Sequence, residues 1–473
     1  MNTKYTFPLS IFRAYDIRGK LNHLTPHVIH SIGYALAQQY KNAGQYQVVI
    51  GYDARLTSPT YANIIQQIFQ TQGLTVTNIG CCSSPMMYYI ARDFGGNGIM
   101  VTASHNPKSD NGIKWILQGE PPSPEIIQQV GLAAQFALET IEKNSDLQEL
   151  SHHIIPEFCL KYQQSLLSDI QLKRPLKVAL DGLHGAAGRC AKLVLEKLGC
   201  QVIALRCEAN GNFPDHAPDP SHAKHLKQLQ AAILSEKADI GIALDGDGDR
   251  VVILDELAHI ISPDRLLSLF AQICLNQHPQ KEIVFDVKCS QMVAETVQKL
   301  HGQAKMIRTG SSFLRAYLSQ SKGNAVFGGE YAGHYVFNDG RGFGYDDGLY
   351  AALRVMEYLT QSDEANLSAL LAIYPERYCT EDTYISTHDI NPKQVLNDIE
   401  IQSHRLGARL SKIDGVRLDF DDGFGIIRAS NTGEYFTVRF DADNPSRLSE
   451  IRQEFVSMMQ EQYPQIAQEL AQA

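Results

Sequence analysis

The sequence predicts the α/β fold class, as three similar α/β domains followed by a smaller α+β domain. Three observations lead there. The chain has 473 residues, whereas single hydrophobic cores stop growing near about 250 residues. Helix-period and strand-period segments alternate in three successive rounds of roughly 100 residues, the mark of a repeated α/β unit. The last hundred residues break that rhythm.

In the first round a helix opens at Thr25 with Pro26 in its first turn and closes near Gly44, and Val48 to Ile50 follow as a strand. A helix from Pro59 to Gln72, a strand from Leu74 to Ile79, a short helix after Pro85 and the strand Gly98 to Val101 complete it. The second round has strands at 176–181, 201–206 and 239–244 with helices at 186–198 and 223–236 between them. A third runs through a helix after Pro263, the strand Ile283 to Val287, the helix Met292 to Leu300, the strand Lys305 to Arg308 and the helix Phe313 to Leu318. The final segment reads as a helical stretch from Pro392 to Leu410, then strands around Gly415 to Phe420, Gly425 to Arg428 and Tyr435 to Phe440. Domain limits are expected at 1–155, 156–257, 258–370 and 371–473. Each round ends a strand in a polar, glycine-bearing loop, the place where open α/β sheets bind ligands.

Composition narrows the function. Apolar residues are 44% and charged residues 20% of a chain with formal net charge -10, which fits a folded globular protein and disfavours nucleic acid or an anionic membrane as partner. The nine cysteines form no CxxC pair, which suits reduced thiols acting as small buried apolar residues in a cytoplasmic protein. Met1 to Pro8 lacks an apolar core, and no stretch approaches the roughly 18 apolar residues of a membrane span.

Four loops carry chemistry. Thr102 to Pro107 follows an apolar strand and presents Ser104 at its tip, with Pro107 blocking a helical continuation. A Ser–His pair is by itself an ordinary loop; as a phosphoserine, Ser104 becomes a phosphoryl donor once a cation and basic groups surround it. Asp245, Asp247 and Asp249 alternate with Gly246 and Gly248 and precede Arg250. The glycines let the backbone turn tightly enough to aim three carboxylates at one hard cation. An EF-hand is disfavoured because Arg250 stands where that loop needs glycine and Val251 to Leu254 reads as a strand. Gly328 to His334 offers Glu330 and His334 to sugar hydroxyls. Arg428 to Gly433 combines Arg428, Ser430, Asn431 and Thr432, side chains suited to an anion cradle.

In this order and at these separations the four loops resemble the alpha-D-phosphohexomutase superfamily, closest to its bacterial phosphomannomutase/phosphoglucomutase branch, from Phe12 to Phe440. The resemblance implies three α/β domains with mixed sheets and a smaller C-terminal α+β domain around a central cleft. It implies Ser104 as phosphoserine and metal ligand, and Asp245, Asp247 and Asp249 as ligands of one Mg2+ per chain. Arg250 would reach the sugar or the serine phosphate, Glu330 and His334 the sugar, and Arg428, Ser430, Asn431 and Thr432 the distal phosphate. Tyr15 and Arg18 resemble the family's N-terminal active-site segment, Asn111, Gly112 and Lys114 the strand after the serine loop, and Lys288 a cleft lysine; Arg308 joins the substrate-binding set. Arg18, Lys114, Arg250, Lys288 and Arg428 gather positive charge for an anionic sugar on an acidic protein.

Two departures bear on sugar selection: Ala332 stands where the family often has serine, and Ser311 follows Thr309 and Gly310 where it often has histidine. The expected reaction interconverts hexose 1-phosphate and hexose 6-phosphate, of mannose and/or glucose, through a hexose 1,6-bisphosphate that also serves as activator. His105, Lys114 and His334 are candidates for the general base. The rivals are a phosphoglucosamine mutase and, from another class, a metal-dependent phosphatase. A monomer or weak homodimer is expected.

Overall fold

The computed structural model describes residues 7–140, 155–430 and 435–472. The chain forms two compact units, one of Met1–Ile261 with Ala332–Leu370 and the other of Ser262–Tyr331 with Leu371–Ala473.

The first unit holds two mixed sheets. One has the order β1-β5-β4-β2-β3, with β1 at Ile17–Lys20, β2 at Gln47–Tyr52, β3 at Thr75–Cys81, β4 at Gly98–Val101 and β5 at Asp110–Ile116. Strands β2, β3 and β4 run parallel, while β5 is antiparallel to both β4 and β1. The sheet is mixed because β5 returns through the short serine loop, too short for the crossover that a parallel neighbour needs. The other sheet has the order β7-β6-β8-β9, from Lys177–Asp181 (β6), Gln201–Leu205 (β7), Ile240–Leu244 (β8) and Val251–Leu254 (β9). Only the β8–β9 hairpin is antiparallel, and the acidic loop is its turn.

Local chemistry explains the helix starts. Thr25 accepts from the Val28 N–H, Ser83 from that of Met86 and Asp347 from that of Tyr350, each satisfying an N–H the first turn leaves without a partner. The first core packs Ile32 and Leu36 with Ile65 and Phe69 over Val48, Ile50, Val101 and Ile113. The buried Tyr40 hydroxyl is placed at the carbonyls of Gly98 and Ile116.

In the second unit, Glu282–Asp286 (β10) pairs in parallel with Gln303–Ile307 (β11) and Ala325–Gly329 (β12). A separate antiparallel sheet links Arg409–Ser411, Val416–Phe420, Gly423–Ala429 and Tyr435–Ala442, with Thr383–Ser386 and Tyr378–Cys379 on the last strand. The helix expected over Pro392 to Leu410 ends at Ser403. Gly407 takes φ +68 in the turn that follows, and Arg409–Ser411 is an edge strand.

Helices at Pro124–Thr140, Pro156–Asp169, Gly348–Gln361 and Pro445–Met459 had no counterpart in the sequence reading. Pro156–Asp169 buries only Tyr162, Gln163 and Leu166, too few for a clear apolar stripe. Gly348–Gln361 buries twelve of its fourteen residues, Arg354, Glu357 and Thr360 among them. Among the nine cysteines, seven are buried as expected, whereas Cys159 is partly buried and Cys379 exposed.

Candidate active site

Ser104 sits directly beyond β4 with φ +51, a left-handed conformation unusual for serine. Its amide donates to Thr102 Oγ1 at 2.8 Å, and that hydroxyl donates to Asp53 Oδ2 at 2.8 Å. Asp53 also accepts from Arg55 Nε at 3.0 Å and from Ser58 Oγ at 2.7 Å. Arg55, 1% exposed, donates from its two terminal nitrogens to the carbonyls of Ser104, Asn106, Pro107 and Asp110 at 2.7 to 3.0 Å. One guanidinium thus gathers the carbonyls of the whole loop, and the strained serine backbone is held from behind.

The acidic loop arrives from the neighbouring sheet. Ser104 Oγ donates to Asp245 Oδ2 at 2.7 Å across a sequence separation of 141 residues. Gly246 touches the serine loop itself: a Cβ there would lie 2.4 Å from the Ser104 carbonyl oxygen. Asp245 Oδ1 accepts from the backbone N–H groups of Gly248 and Arg250. Asp247 Oδ2 accepts from Ser84 Oγ at 2.6 Å and Lys114 Nζ at 2.8 Å, and Asp249 Oδ2 from Lys114 Nζ at 2.6 Å.

All three aspartates are fully buried, and one oxygen of each lies within 4.8 Å of the others. Desolvation, then the charges of Asp249 and Asp247, pushes the Asp245 carboxyl well above its usual range. Burial also works against the Asp249 carboxylate, but Lys114 and His334 together hold it well below the usual range. Lys114 is desolvated too, and its two aspartates outweigh that and raise it. Among the described residues, Asp247 Oδ1 has no hydrogen-bond partner. Three converging, partly unsatisfied hard oxygens beside a serine hydroxyl fit a divalent cation, whose charge such a cluster needs. A second group, Asp249 with His334 and Asp346, also converges within that distance.

The remaining expected residues of this unit surround the cluster. Arg18 pairs with Asp16 at 2.6 Å and donates to Asn106 Oδ1 of the serine loop at 3.1 Å. Tyr15 lies partly buried ahead of β1. His105 Nδ1 is 3.1 Å from Ser104 Oγ. Burial, then the charges of Arg250 and Arg18, lowers the His105 ring well below the ordinary histidine value and keeps it neutral. Arg250 Nε donates to His334 Nε2 at 3.2 Å, and that nitrogen lies 3.4 Å from Asp249 Oδ1. Asn111 donates to Thr57 and Ser58 beside Asp53.

The second unit gathers its own cationic set. Lys288 pairs with Asp382 at 2.5 Å, and Arg428 with Asp414 at 2.9 Å. Asp414 also accepts from the Thr309 N–H, and Glu330 Oε1 from the Gly310 N–H. Arg308 lies over the Phe313 ring at 4.1 Å. Ser430 N donates to the Tyr435 carbonyl at 2.9 Å; Asn431 and Thr432 lie outside the described residues.

The sequence reading missed Asp53 and Arg55, whose signal was a polar pair directly after the strand ending at Tyr52, and Ser84, which carries no recognisable signal. Asp346, Asp382 and Asp414 were likewise invisible, since only folding gives them cationic partners.

Three family models match in chain order: phosphoglucomutase/phosphomannomutase alpha/beta/alpha domain I over residues 9–136, domain II over 157–258 and domain III over 262–378. A phosphoglucomutase of Neisseria meningitidis is 36% identical over 455 residues, covering 95% of this chain and 96% of its own length. The phosphomannomutase/phosphoglucomutase of Pseudomonas aeruginosa is 35% identical, with 95% of both chains covered. The crystal structure of a phosphoglucomutase/phosphomannomutase family protein from Burkholderia thailandensis superposes with a TM-score of 0.87 at 32% identity, covering 96% of this chain and 98% of that one. With a serine hydroxyl bound into a buried acidic triad and matches along almost its full length, the chain belongs to the phosphoglucomutase/phosphomannomutase family of hexose-phosphate mutases, which are isomerases.

Proposed function

We propose that this enzyme interconverts the 1- and 6-phosphates of glucose and/or mannose through a phosphate carried on Ser104 and a bound hexose 1,6-bisphosphate. The observation that carries this reading is the 2.7 Å contact between Ser104 Oγ and Asp245, which joins a potential phosphoryl carrier to a metal-competent triad. In the forward direction the O–P bond at Ser104 breaks as the sugar 6-hydroxyl oxygen bonds to phosphorus and gives up its proton to a base. The bisphosphate reorients, its O1–P bond breaks as Ser104 Oγ takes the phosphoryl, and the base returns the proton to the freed 1-oxygen, which leaves hexose 6-phosphate and the phosphoserine. One Mg2+ per chain, held by Asp245, Asp247, Asp249 and the Ser104 oxygen, would neutralise charge on the transferring phosphoryl.

The chain's own groups take the other roles. The Arg55 clamp fixes the direction of Ser104, while Arg18 and Arg250 supply positive charge around it. His334 and neutral His105 remain the candidates for the base, whereas Lys114, expected as a third, is buried yet raised by Asp247 and Asp249, keeps its proton and supplies charge. Glu330 and His334 would read sugar hydroxyls, and Lys288, Arg308, Arg428, Ser430, Asn431 and Thr432 the phosphate left in place. Asp382 and Asp414 compete with that phosphate for Lys288 and Arg428, so substrate binding exchanges one anion for another. Tyr15 completes the substrate set, and Lys114 and Arg18 stand with Ser104 and His105 as the catalytic group. This reading includes the four-domain division near 155, 257 and 370, a cytoplasmic location and a monomer or weak homodimer.

The test is a coupled assay on glucose, mannose and glucosamine 1-phosphates with magnesium and a trace of hexose 1,6-bisphosphate, alongside intact-mass analysis of wild type and Ser104→Ala. Isomerisation of glucose or mannose phosphate, with a phosphate adduct absent from the variant, is expected. Turnover of glucosamine phosphate alone would reassign the substrate, and release of inorganic phosphate without isomerisation would overturn the reading.

A further inference from the structure

We infer, resting on the reading of Lys288 as a substrate ligand, that Arg417 and Arg439 are positioning residues for substrate binding. From the C-terminal sheet they grip the backbone of the loop that presents Lys288. One face of that sheet packs on its own helices: Val416, Leu418, Ile427, Val438 and Phe440 share a core with Val395 and Ile399 of Pro392–Ser403 and with Ile451 and Phe455 of Pro445–Met459. Strand residues alternate in face, so Arg417, Asp419, Phe424, Ile426, Arg439 and Asp441 belong to the other one. In register they form two rows across three strands, Arg417–Ile426–Arg439 and Asp419–Phe424–Asp441. All six are buried, the two arginines to 1% exposure. Charged side chains on a free sheet face would stay in water, whereas buried ones need polar partners. The loop after β10 supplies them.

Arg417 donates from one terminal nitrogen to the carbonyls of Val287 at 2.6 Å and Cys289 at 2.7 Å. Its Nε and other terminal nitrogen donate to Asp419 Oδ1 at 3.0 and 2.7 Å. Arg439 donates to the Lys288 carbonyl between those two and to Asp264 Oδ2 at 2.9 Å. Three successive loop carbonyls thus end on two guanidiniums. The same carboxylates hold the next residues, with Ser290 N donating to Asp264 Oδ1 at 2.8 Å and Gln291 Nε2 to Asp419 Oδ1 at 3.1 Å. Both guanidiniums lie over the buried Phe424 ring, Arg417 at 3.7 Å and Arg439 at 5.3 Å from its centre. Arg439 also covers the ring of Tyr331, the neighbour of Glu330, at 3.6 Å.

A lysine ammonium rides on a flexible stem, so the place it reaches depends on how firmly its backbone is held. The Lys288 loop cannot shift without leaving two buried guanidiniums short of acceptors, which is costly. Asp286, at the end of β10, ties the same loop to its neighbours. It accepts from Cys289 Sγ at 3.0 Å, from Thr309 Oγ1 at 2.8 Å and from Tyr331 N at 3.1 Å. The arrangement parallels the Arg55 clamp on the serine loop, but here the grip comes from strands about 130 residues away in sequence. Lysine in place of either arginine keeps the charge and loses the planar fork that meets carbonyl and carboxylate together.

The experiment measures kcat and KM in the full chain for Arg417→Lys, Arg439→Lys, Lys288→Ala and each arginine variant combined with Lys288→Ala. The substrate is glucose or mannose 1-phosphate, whichever wild type turns over faster. Each arginine variant should raise KM about 10-fold, as for one weakened hydrogen bond to a charged group, and change kcat less than about threefold. In the Lys288→Ala background the same substitution should add less than about twofold, because its effect travels through the lysine. Should one arginine variant fail to fold, the other carries the test through the adjacent carbonyl. An unchanged KM in a folded arginine variant, or full additivity with a Lys288→Ala variant whose own KM is raised, overturns the clamp and leaves the proposed reaction standing. A wild-type KM in Lys288→Ala removes that lysine from the substrate set, so the earlier reading fails there and the clamp's role with it.

Discussion

Arg55 shows how much of a reactive residue's geometry can depend on one that never meets substrate. Its guanidinium satisfies four loop carbonyls while neutralising buried Asp53. Replacing it with methionine leaves a buried carboxylate unpaired, a loss of about 3 to 5 kcal/mol by the usual cost of breaking such a pair. Urea unfolding of Arg55→Met should show that loss. Arg55→Lys keeps the charge but not the fork, so kcat should fall roughly 10- to 100-fold with KM little changed, since the loop misplaces Ser104 rather than losing a sugar contact. A parallel fall in kcat and rise in KM would place Arg55 in substrate binding instead. Ser104→Ala should abolish the phosphate adduct and lower kcat by roughly 10³-fold or more, measured by the coupled assay.

At the scale of elements, two glycines carry close backbone contacts, Gly246 in the acidic loop and Gly348 at the start of its helix. A Cβ on Gly246 would lie 2.4 Å from the Ser104 carbonyl, and one on Gly348 would lie 2.5 Å from that of Arg250. Both obstacles are backbone atoms, which cannot rotate aside. Gly246→Ala should therefore force the acidic and serine loops apart, weakening divalent-cation binding in calorimetric titration while the far-ultraviolet spectrum stays that of wild type. The helix Gly348–Gln361 depends on Asp347, which caps it and accepts from Tyr162 at 2.6 Å. Burial raises the Asp347 carboxyl to about 6. A folded pKa above the unfolded value means that the native state binds this proton more tightly. Its contribution to stability is present below about pH 4 and is lost as pH rises toward 6. Asparagine keeps the cap without the buried charge. Asp347→Asn should gain about 1 to 3 kcal/mol on wild type at pH 7 and lose that advantage near pH 4, as denaturant midpoints across that range would show.

For the whole molecule, three buried aspartates make the native state dependent on positive charge, now supplied on one side by Lys114. Any divalent cation bound by the folded chain and not by the unfolded one stabilises it by mass action. Millimolar magnesium should raise the melting temperature and a chelator should lower it in a fluorescence scan, with Asp247→Asn blunting the response. An unchanged melting temperature in wild type would count against a cation at this triad.

Much was legible in the residues before any coordinates. The alternation of helix and strand periods is local, so it revealed the three α/β rounds and the change of pattern near the C-terminus. The serine and acidic loops showed themselves as chemistry at strand ends, because the residues of each loop are contiguous. What only the tertiary structure decided was partnership between distant positions. That Ser104 meets Asp245, that Arg55 grips the serine loop, and that Lys288 and Arg428 are held by Asp382 and Asp414 follow from packing. Local periodicity carries no information about such contacts, since they depend on which strand ends the sheets bring together. For the same reason the burial of Arg354 and Glu357 within the helix Gly348–Gln361 could not be foreseen, since it depends on the partners Asp339 and Arg341 outside the helix.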